Sequence, residues 1–432
     1  MRVLLIGSGG REHALALKLS ESSSCDRLFI SPGNPGTAQC GENVELDLNN
    51  YELLKDWLDA HSIDLVVVGP EQPLVDGLRE ELLEIGGLQN RVFFGPGKRG
   101  AELEGSKKFA KEFMQRHDIP TAAYAAFTKE ESDEALVHLR SMKPPYVIKA
   151  DGLAAGKGVI ITDQLEEAQS SLKDLFEGKM GQAGNKVVLE EFLSGTEFSV
   201  FIMTDGKRFI ELPEAKDYKR IGEGDIGPNT GGMGSVSPVP FYDDALREKV
   251  RERIIKPTVK GLEKEGIPYQ GFIFFGLIEV DGEPFVIEYN VRMGDPETQS
   301  VMARLKGDLA QCMADLAEGR DITPLQIDER TAVSVVLVSE GYPGSYSKGQ
   351  PIAVDTLPDE AKLIHAGTKL DEKANLVSNG GRVLAVTAMG TDLAESRALA
   401  YRSMEKVEMR SSAFRKDIGS DLLKSDQRSP AR

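Results

Sequence analysis

The chain has 432 residues, 40% of them apolar, and a formal net charge of −17. Its length predicts two to four domains. The acidic balance argues against nucleic acid as a partner, since backbone binding needs a basic surface, but leaves small anions free to bind in a local basic pocket. Cys25, Cys40 and Cys312 are scattered, with no CxxC spacing. This fits a reducing compartment and neither a zinc site nor a disulfide framework. No run approaches the roughly 18 apolar residues of a membrane span, and the opening apolar run is too short for a signal peptide. The expectation is a soluble cytoplasmic protein with no membrane partner.

Residues 3–6, 28–30, 65–68 and 92–94 read as buried strands, with helices over 11–19, 51–60 and 74–85. This alternation predicts a parallel α/β sheet. Its turns carry Gly-Ser-Gly-Gly (7–10), Ser-Pro-Gly-Asn-Pro-Gly (31–36), Gly-Pro-Glu (69–71) and Gly-Pro-Gly (95–97), at the strand ends where such sheets bind ligands. Gly7 and Gly9 fit a dinucleotide fingerprint, but Glu12 stands where its third glycine belongs, which argues against NAD or FAD. The turn can still hold a single phosphate, or be a plain tight turn. A helix over 105–117 is closed by Ile119-Pro120.

From residue 144 to about 290 the pattern becomes antiparallel α+β. Strands are expected over 146–149, 158–162, 187–192, 198–203, 208–212, 272–280 and 284–290, with Asp281-Gly282 as a hairpin turn. A third region holds strands over 332–338 and 382–387, a helix over 392–407 and a polar tail from 424.

Several segments carry chemistry. Glu288 and Asn290 share a strand face and offer the hard oxygen ligands that suit Mg²⁺, with Arg292 next at the same spacing. A solvated strand end is the plain alternative. Lys149 closes one strand, and Asp151, Gly152, Gly156, Lys157 and Gly158 form a loop suited to phosphate oxygens. It is not a P-loop, because Gly158 stands where Ser or Thr must be. Glu190 and Glu197 flank an edge able to read an adenine ring and its ribose, although acidic strand ends are usually solvated. The glycine-dense loop 227–234 carries Asn229 and Thr230 and is suited to closing over a substrate. The charges of 216–220 read equally well as a solvated run. Asp295 and Glu297 open a helix, where Asp295 also suits an N-cap. Among five dispersed histidines, His13 beside the first turn is the one to watch.

In this order the blocks resemble the ATP-grasp ligases, and within them the glycinamide ribonucleotide synthetase family, from Gly7 to about Asp417. The flanking blocks that carry the narrower resemblance are Gly-Ser-Gly-Gly-Arg-Glu-His-Ala (7–14), Val-Val-Gly-Pro-Glu (67–71), Leu-Glu-Gly-Ser-Lys (103–107), His-Ala-Gly-Thr (365–368), Asn-Gly-Gly-Arg-Val-Leu (379–384) and Arg-Lys-Asp-Ile-Gly (415–419). The resemblance implies an N-terminal α/β domain (1–102), an ATP-grasp domain (103–330) with a lid at about 122–192, and a C-terminal domain (331–432). It implies ligation of glycine to 5-phosphoribosylamine through glycyl phosphate, with ATP and Mg²⁺ or Mn²⁺, in purine synthesis.

In that reading Lys107 and Lys149 contact phosphates and loop 151–158 folds over them. Glu190, with backbone at Glu191 and Leu193, holds adenine, and Glu197 holds ribose. Glu288 and Asn290 bind metal, and Arg292 stabilises the transferring phosphoryl group. Gly9, Gly10, Arg11, Asn34, Glu71, Asn229, Thr230, Asp295 and Glu297 shape the phosphoribosylamine and glycine sites. A monomer is expected, with a homodimer as the alternative, and a fused second enzyme is not expected. Two departures from the family pattern stand out: Gly276 where a second metal carboxylate often sits, and Tyr218 in place of a histidine. The competing readings are another ATP-grasp ligase or carboxylase, an NAD-dependent oxidoreductase and a nucleotide-binding regulator.

Overall fold

The computed structural model describes residues 1–153, 158–178 and 184–426. Gly156 and Lys157 lie outside the described residues. The first hundred residues form a parallel five-stranded sheet, ordered Glu42–Asn43, Arg27–Pro32, Arg2–Gly7, Leu65–Val68 and Val92–Phe94. The apolar runs that announced these strands are buried on both faces, as a sheet sandwiched between helices requires. The helix expected over 74–85 is two helices, Glu71–Asp76 and Leu78–Glu84. Gly77 at φ 92° breaks it, a left-handed conformation that glycine adopts without a Cβ penalty. Likewise Lys98–Gly105 is its own helix, and Ser106 restarts the chain by capping Lys107–Arg116 through the Phe109 N–H.

A four-stranded antiparallel sheet follows, ordered Tyr124–Thr128, Lys186–Glu190, Tyr146–Ala150 and Val159–Thr162. Its apolar face packs on the helices Ser132–Ser141 and Leu165–Phe176 through Ile148, Leu189, Leu139 and Leu172. Strand alternation therefore turns Lys149 and Glu190 to the opposite face.

The largest sheet is antiparallel. Glu283–Asn290 lies at its edge, then Gly271–Val280, Thr196–Thr204, Phe209–Asp217 and Gly234–Ser237. The C-terminal strands Thr331–Ser339, Arg382–Gly390 and Ala361–His365 continue it without a gap. The α/β and α+β organisation read from the sequence is thus present. Thr121 clips the small sheet to the large one, its hydroxyl donating to the Val286 carbonyl at 2.7 Å. No helix among the described residues is long and apolar enough to cross a membrane.

Candidate active site

The cleft lies between the two antiparallel sheets, with the helix Lys107–Arg116 along one side. Lys107 and Lys111 are one helical turn apart and share its inner face. Lys107 Nζ donates to the Gly152 carbonyl at 3.1 Å. Lys149 Nζ and Lys111 Nζ both reach Glu190 Oε2, at 2.9 and 3.0 Å. Glu190 is only 3% exposed, yet its Oε1 has no hydrogen-bond partner. A buried acceptor without a donor is costly, so this oxygen awaits one. Asp151 serves the loop itself, its carboxylate accepting from Ser106 Oγ and the Lys108 N–H and so anchoring the loop to the helix start. Glu191 gives its N–H to the Ala123 carbonyl, and Leu193 lies half-buried beyond it. Gly158 is buried at the far end of the loop and its carbonyl accepts from Ala150 N–H.

On the large sheet, Glu288 pairs across the hairpin with Gly276, where a Cβ would lie 3.0 Å from Glu288 Cγ. The neighbouring strand thus leaves room for the Glu288 side chain and contributes no carboxylate at that register. Burial alone would raise the Glu288 carboxyl, but Lys219, Lys149 and Lys107 outweigh it and hold it below its usual range. The group is a carboxylate anion at neutral pH. Asn290 shares its face, as the two-residue spacing predicts. Among the described residues no three His, Cys, Asp or Glu side chains converge as a metal cage. One carboxylate and one amide oxygen suit Mg²⁺, which keeps several waters and binds phosphate oxygens.

Arg292 is gripped by Glu104 at 2.6 Å and Glu71 at 3.2 Å. Burial opposes its charge, but Glu104 and Glu71, helped by Glu297 and Glu288, raise its pKa further. Arg11 joins this network 3.7 Å from Glu71 and 2.5 Å from Glu12. Glu12 also accepts the Gly9 N–H at 2.6 Å. A Cβ at Gly7 or Gly69 would meet the Glu12 side chain at 2.3 or 2.2 Å, so the carboxylate fills the space beneath both turns. That is the physical reason the first turn departs from a dinucleotide fingerprint.

The charges of 216–220 are not a solvated run. Lys219 Nζ pairs with Glu197 at 2.9 Å. Burial works against its charge, but Glu197, Asp217 and Glu288 hold it well above the ordinary lysine value. Strand alternation sends Lys216 and Tyr218 the other way, to Asp421, which accepts from the tyrosine hydroxyl at 2.6 Å. Tyr218 therefore fastens the C-terminal segment where the family pattern often has a histidine. Asp217 and Glu297 form a carboxylate pair. Burial first, then the Asp217 charge, push Glu297 up to about 8, and burial also raises Asp217. Both carboxyls are thus shifted toward the protonated form relative to an ordinary carboxylate.

Most of the remaining predicted residues gather around the first turn, while Asn229 and Thr230 lie beside Arg220 and Lys219. Gly9 and Gly10 begin the helix Gly10–Ser20, and a Cβ at Gly10 would lie 2.6 Å from Gln299 and 3.5 Å from Asp295. Asp295 pairs with Arg382 at 3.1 Å and accepts from Gln299. It is not the helix N-cap; Pro296 holds that position because Glu297–Arg304 starts two residues later. Asn34 bridges the Ser8 and His365 carbonyls. His13 accepts the His365 N–H at 2.8 Å, joining the N- and C-terminal parts. Thr230 donates its hydroxyl to the Lys219 carbonyl, and Asn229 ends the short strand before it. Sequence reasoning misses Lys111, Glu104 and Arg382 as site residues, and reads Asp217 only within the charged run. Lys219 was noticed but left as one of a charged run.

Lys149 on a small antiparallel sheet and Lys107 on the adjoining helix stand with a carboxylate–amide strand of a larger sheet, the arrangement of an ATP-grasp fold. The fold is shared by the biotin carboxylase of Campylobacter jejuni, which superposes with a TM-score of 0.71 at 14% identity, over 99% of this chain and 95% of that one. Family models for phosphoribosylglycinamide synthetase match residues 1–104 (N domain), 105–298 (ATP-grasp domain) and 332–421 (C domain), and the chain belongs to that family. It is 47% identical to a phosphoribosylamine–glycine ligase of Agrobacterium fabrum, over 97% of this chain and 98% of the relative. It is 46% identical to the one of Escherichia coli K12, over 99% and 100%. The crystal structure of the Thermotoga maritima ligase matches at a TM-score of 0.84 and 37% identity, covering 97% of this chain and all of that one.

Proposed function

We propose that this chain is an ATP-dependent carboxylate–amine ligase that joins glycine to 5-phosphoribosylamine, giving glycinamide ribonucleotide, ADP and phosphate. The observation that carries the reading is the facing of Lys107, Lys149 and Glu190 with Glu288, Asn290 and Arg292 across one cleft. Membership of the phosphoribosylglycinamide synthetase family supplies the substrates.

The glycine carboxylate attacks the γ-phosphorus of ATP, forming glycyl phosphate and releasing ADP. The amine of phosphoribosylamine then attacks the acyl carbon; phosphate leaves, and the nitrogen loses a proton as the amide forms. Lys107 and Lys149 hold the phosphates, with loop 151–158 over them. Glu190 accepts the adenine amino group on its free Oε1, beside the backbone of Glu191 and Leu193, and Glu197 takes the ribose. Glu288 and Asn290 hold Mg²⁺ or Mn²⁺, which supplies positive charge against crowded phosphate oxygens. Arg292, immobilised by Glu104 and Glu71, is aimed at the transferring group without reorganisation. Gly9, Gly10, Arg11, Asn34, Glu71, Asn229, Thr230, Asp295 and Glu297 shape the two acceptor sites. Loop 227–234 closes to keep water from the acyl phosphate.

The domain division at 102 and 330 belongs to this reading, as do a cytoplasmic location and a monomeric state. A mass-spectrometric assay for the amide product, omitting each substrate in turn, tests the reaction. Product and ADP are expected only with ATP, glycine and phosphoribosylamine together; ADP release requiring glycine alone would point to another amine acceptor.

A further inference from the structure

Lys111 is buried in the cleft and none of the roles above uses it. We propose that it is the resident counter-ion of Glu190, which lets Lys149 leave that carboxylate for the phosphates of a bound nucleotide. The inference rests on the nucleotide site proposed above and adds a positioning residue to it.

The two lysines meet the same oxygen but are held differently. Lys111 is 2% exposed, and its Nζ also donates to Thr121 Oγ1 at 2.7 Å and lies 5.8 Å from the Tyr124 ring centroid. Thr121 is itself fixed by its bond to the Val286 carbonyl. Lys111 is therefore locked between the helix, the small sheet and the large one. Among the described residues Lys149 has, besides Glu190, a long 3.4 Å contact to the Ile287 carbonyl, which points toward the strand carrying Glu288. It is the lysine free to turn.

Charge sets the difference between the two lysines. Glu190 is buried, so a carboxylate stripped of both cations would be strongly disfavoured. With Lys111 in place, one cation remains when Lys149 departs. Burial pulls Lys111 down to about 8, Glu190 raises it, and the Lys149 charge lowers it again. Departure of Lys149 removes that last repulsion and strengthens the Lys111–Glu190 pair. Fixing Oε2 in this way also leaves Oε1 for the adenine amino group. Without Lys111, Lys149 must stay on Glu190, and nucleotide binding weakens.

Calorimetric titration of the full-length protein with the Mg²⁺ complex of a non-hydrolysable ATP analogue tests this without turnover. Lys111→Met is expected to weaken binding about tenfold or more, and Lys111→Arg to stay within about threefold of the wild type. In a Glu190→Gln background the carboxylate charge is gone, so adding Lys111→Met should change affinity by less than about threefold. Equal binding by wild type and Lys111→Met overturns the inference. So does a tenfold loss that persists in the Glu190→Gln background, which marks a merely structural role. If Lys111→Met does not fold, the comparison within that background still decides. Failure of the wild type to bind nucleotide overturns the site reading itself.

Discussion

The two ends of the cleft carry opposite imbalances of charge. Around Glu190 gather Lys149 and Lys111, with Lys107 close by at the helix start. Around Lys219 and Arg292 gather Glu197, Asp217, Glu288, Glu297, Glu104 and Glu71. One end has cations to spare and the other carboxylates. An excess of charge is unfavourable unless something of opposite sign arrives, so each end suits the ligand proposed for it. The lysine end fits polyphosphate; the carboxylate end fits a divalent cation and amines. Because Glu288 is influenced by Lys219, Lys149 and Lys107 together, it stands where the two fields meet.

The comparison can be broken most directly at that meeting point. Glu288→Ala removes the carboxylate proposed to hold the metal and should lower kcat roughly a hundredfold or more at saturating ATP, with a raised Mg²⁺ requirement. Near-normal kcat would detach the metal from this strand. Glu104→Gln leaves Arg292 with Glu71 as its remaining close partner, and breaking a buried pair costs about 3 kcal/mol. The expected result is a clear fall in the thermal midpoint together with slower turnover. A midpoint unchanged from wild type would mean that Glu104 is not needed to hold the guanidinium.

A pH series sharpens the carboxylate end. Glu297 is raised to about 8 in the folded protein, so from the ordinary carboxylate range up to that value the fold binds a proton that the unfolded chain does not. Stability from this pair is therefore full at acid pH and lost as pH rises through about 8. Asp217→Asn removes the neighbouring charge and should flatten the decline in melting temperature between about pH 5.5 and about pH 8.5. An unaltered slope would mean that the two carboxylates do not share a proton. The smallest effect belongs to Tyr218→Phe, which deletes the hydrogen bond to Asp421. Stability should fall by about 1 kcal/mol in chemical denaturation, with the nucleotide end unaffected.

Legibility in the sequence followed the same divide. Glu288, Asn290 and Lys149 were visible because strand period alone sets their faces. The apolar runs 3–6 and 65–68 were visible because both faces of a parallel sheet are buried. Lys111 was not, since a lysine on an amphipathic helix looks like its solvent face and Glu190 lies far along the chain. Asp217 and Lys219 looked like a charge run until alternation separated them from Lys216 and Tyr218. The helix break at Gly77 was missed because the apolar period continues across it and only backbone conformation interrupts it.

The measurement that tests the central claim most directly is to supply glycine labelled with heavy oxygen in its carboxylate, together with ATP and phosphoribosylamine. The released inorganic phosphate is then analysed by mass spectrometry. Phosphorylation of that carboxylate predicts one labelled oxygen transferred to each phosphate. Unlabelled phosphate alongside amide product would contradict the acyl phosphate route and the charge assignment built on it.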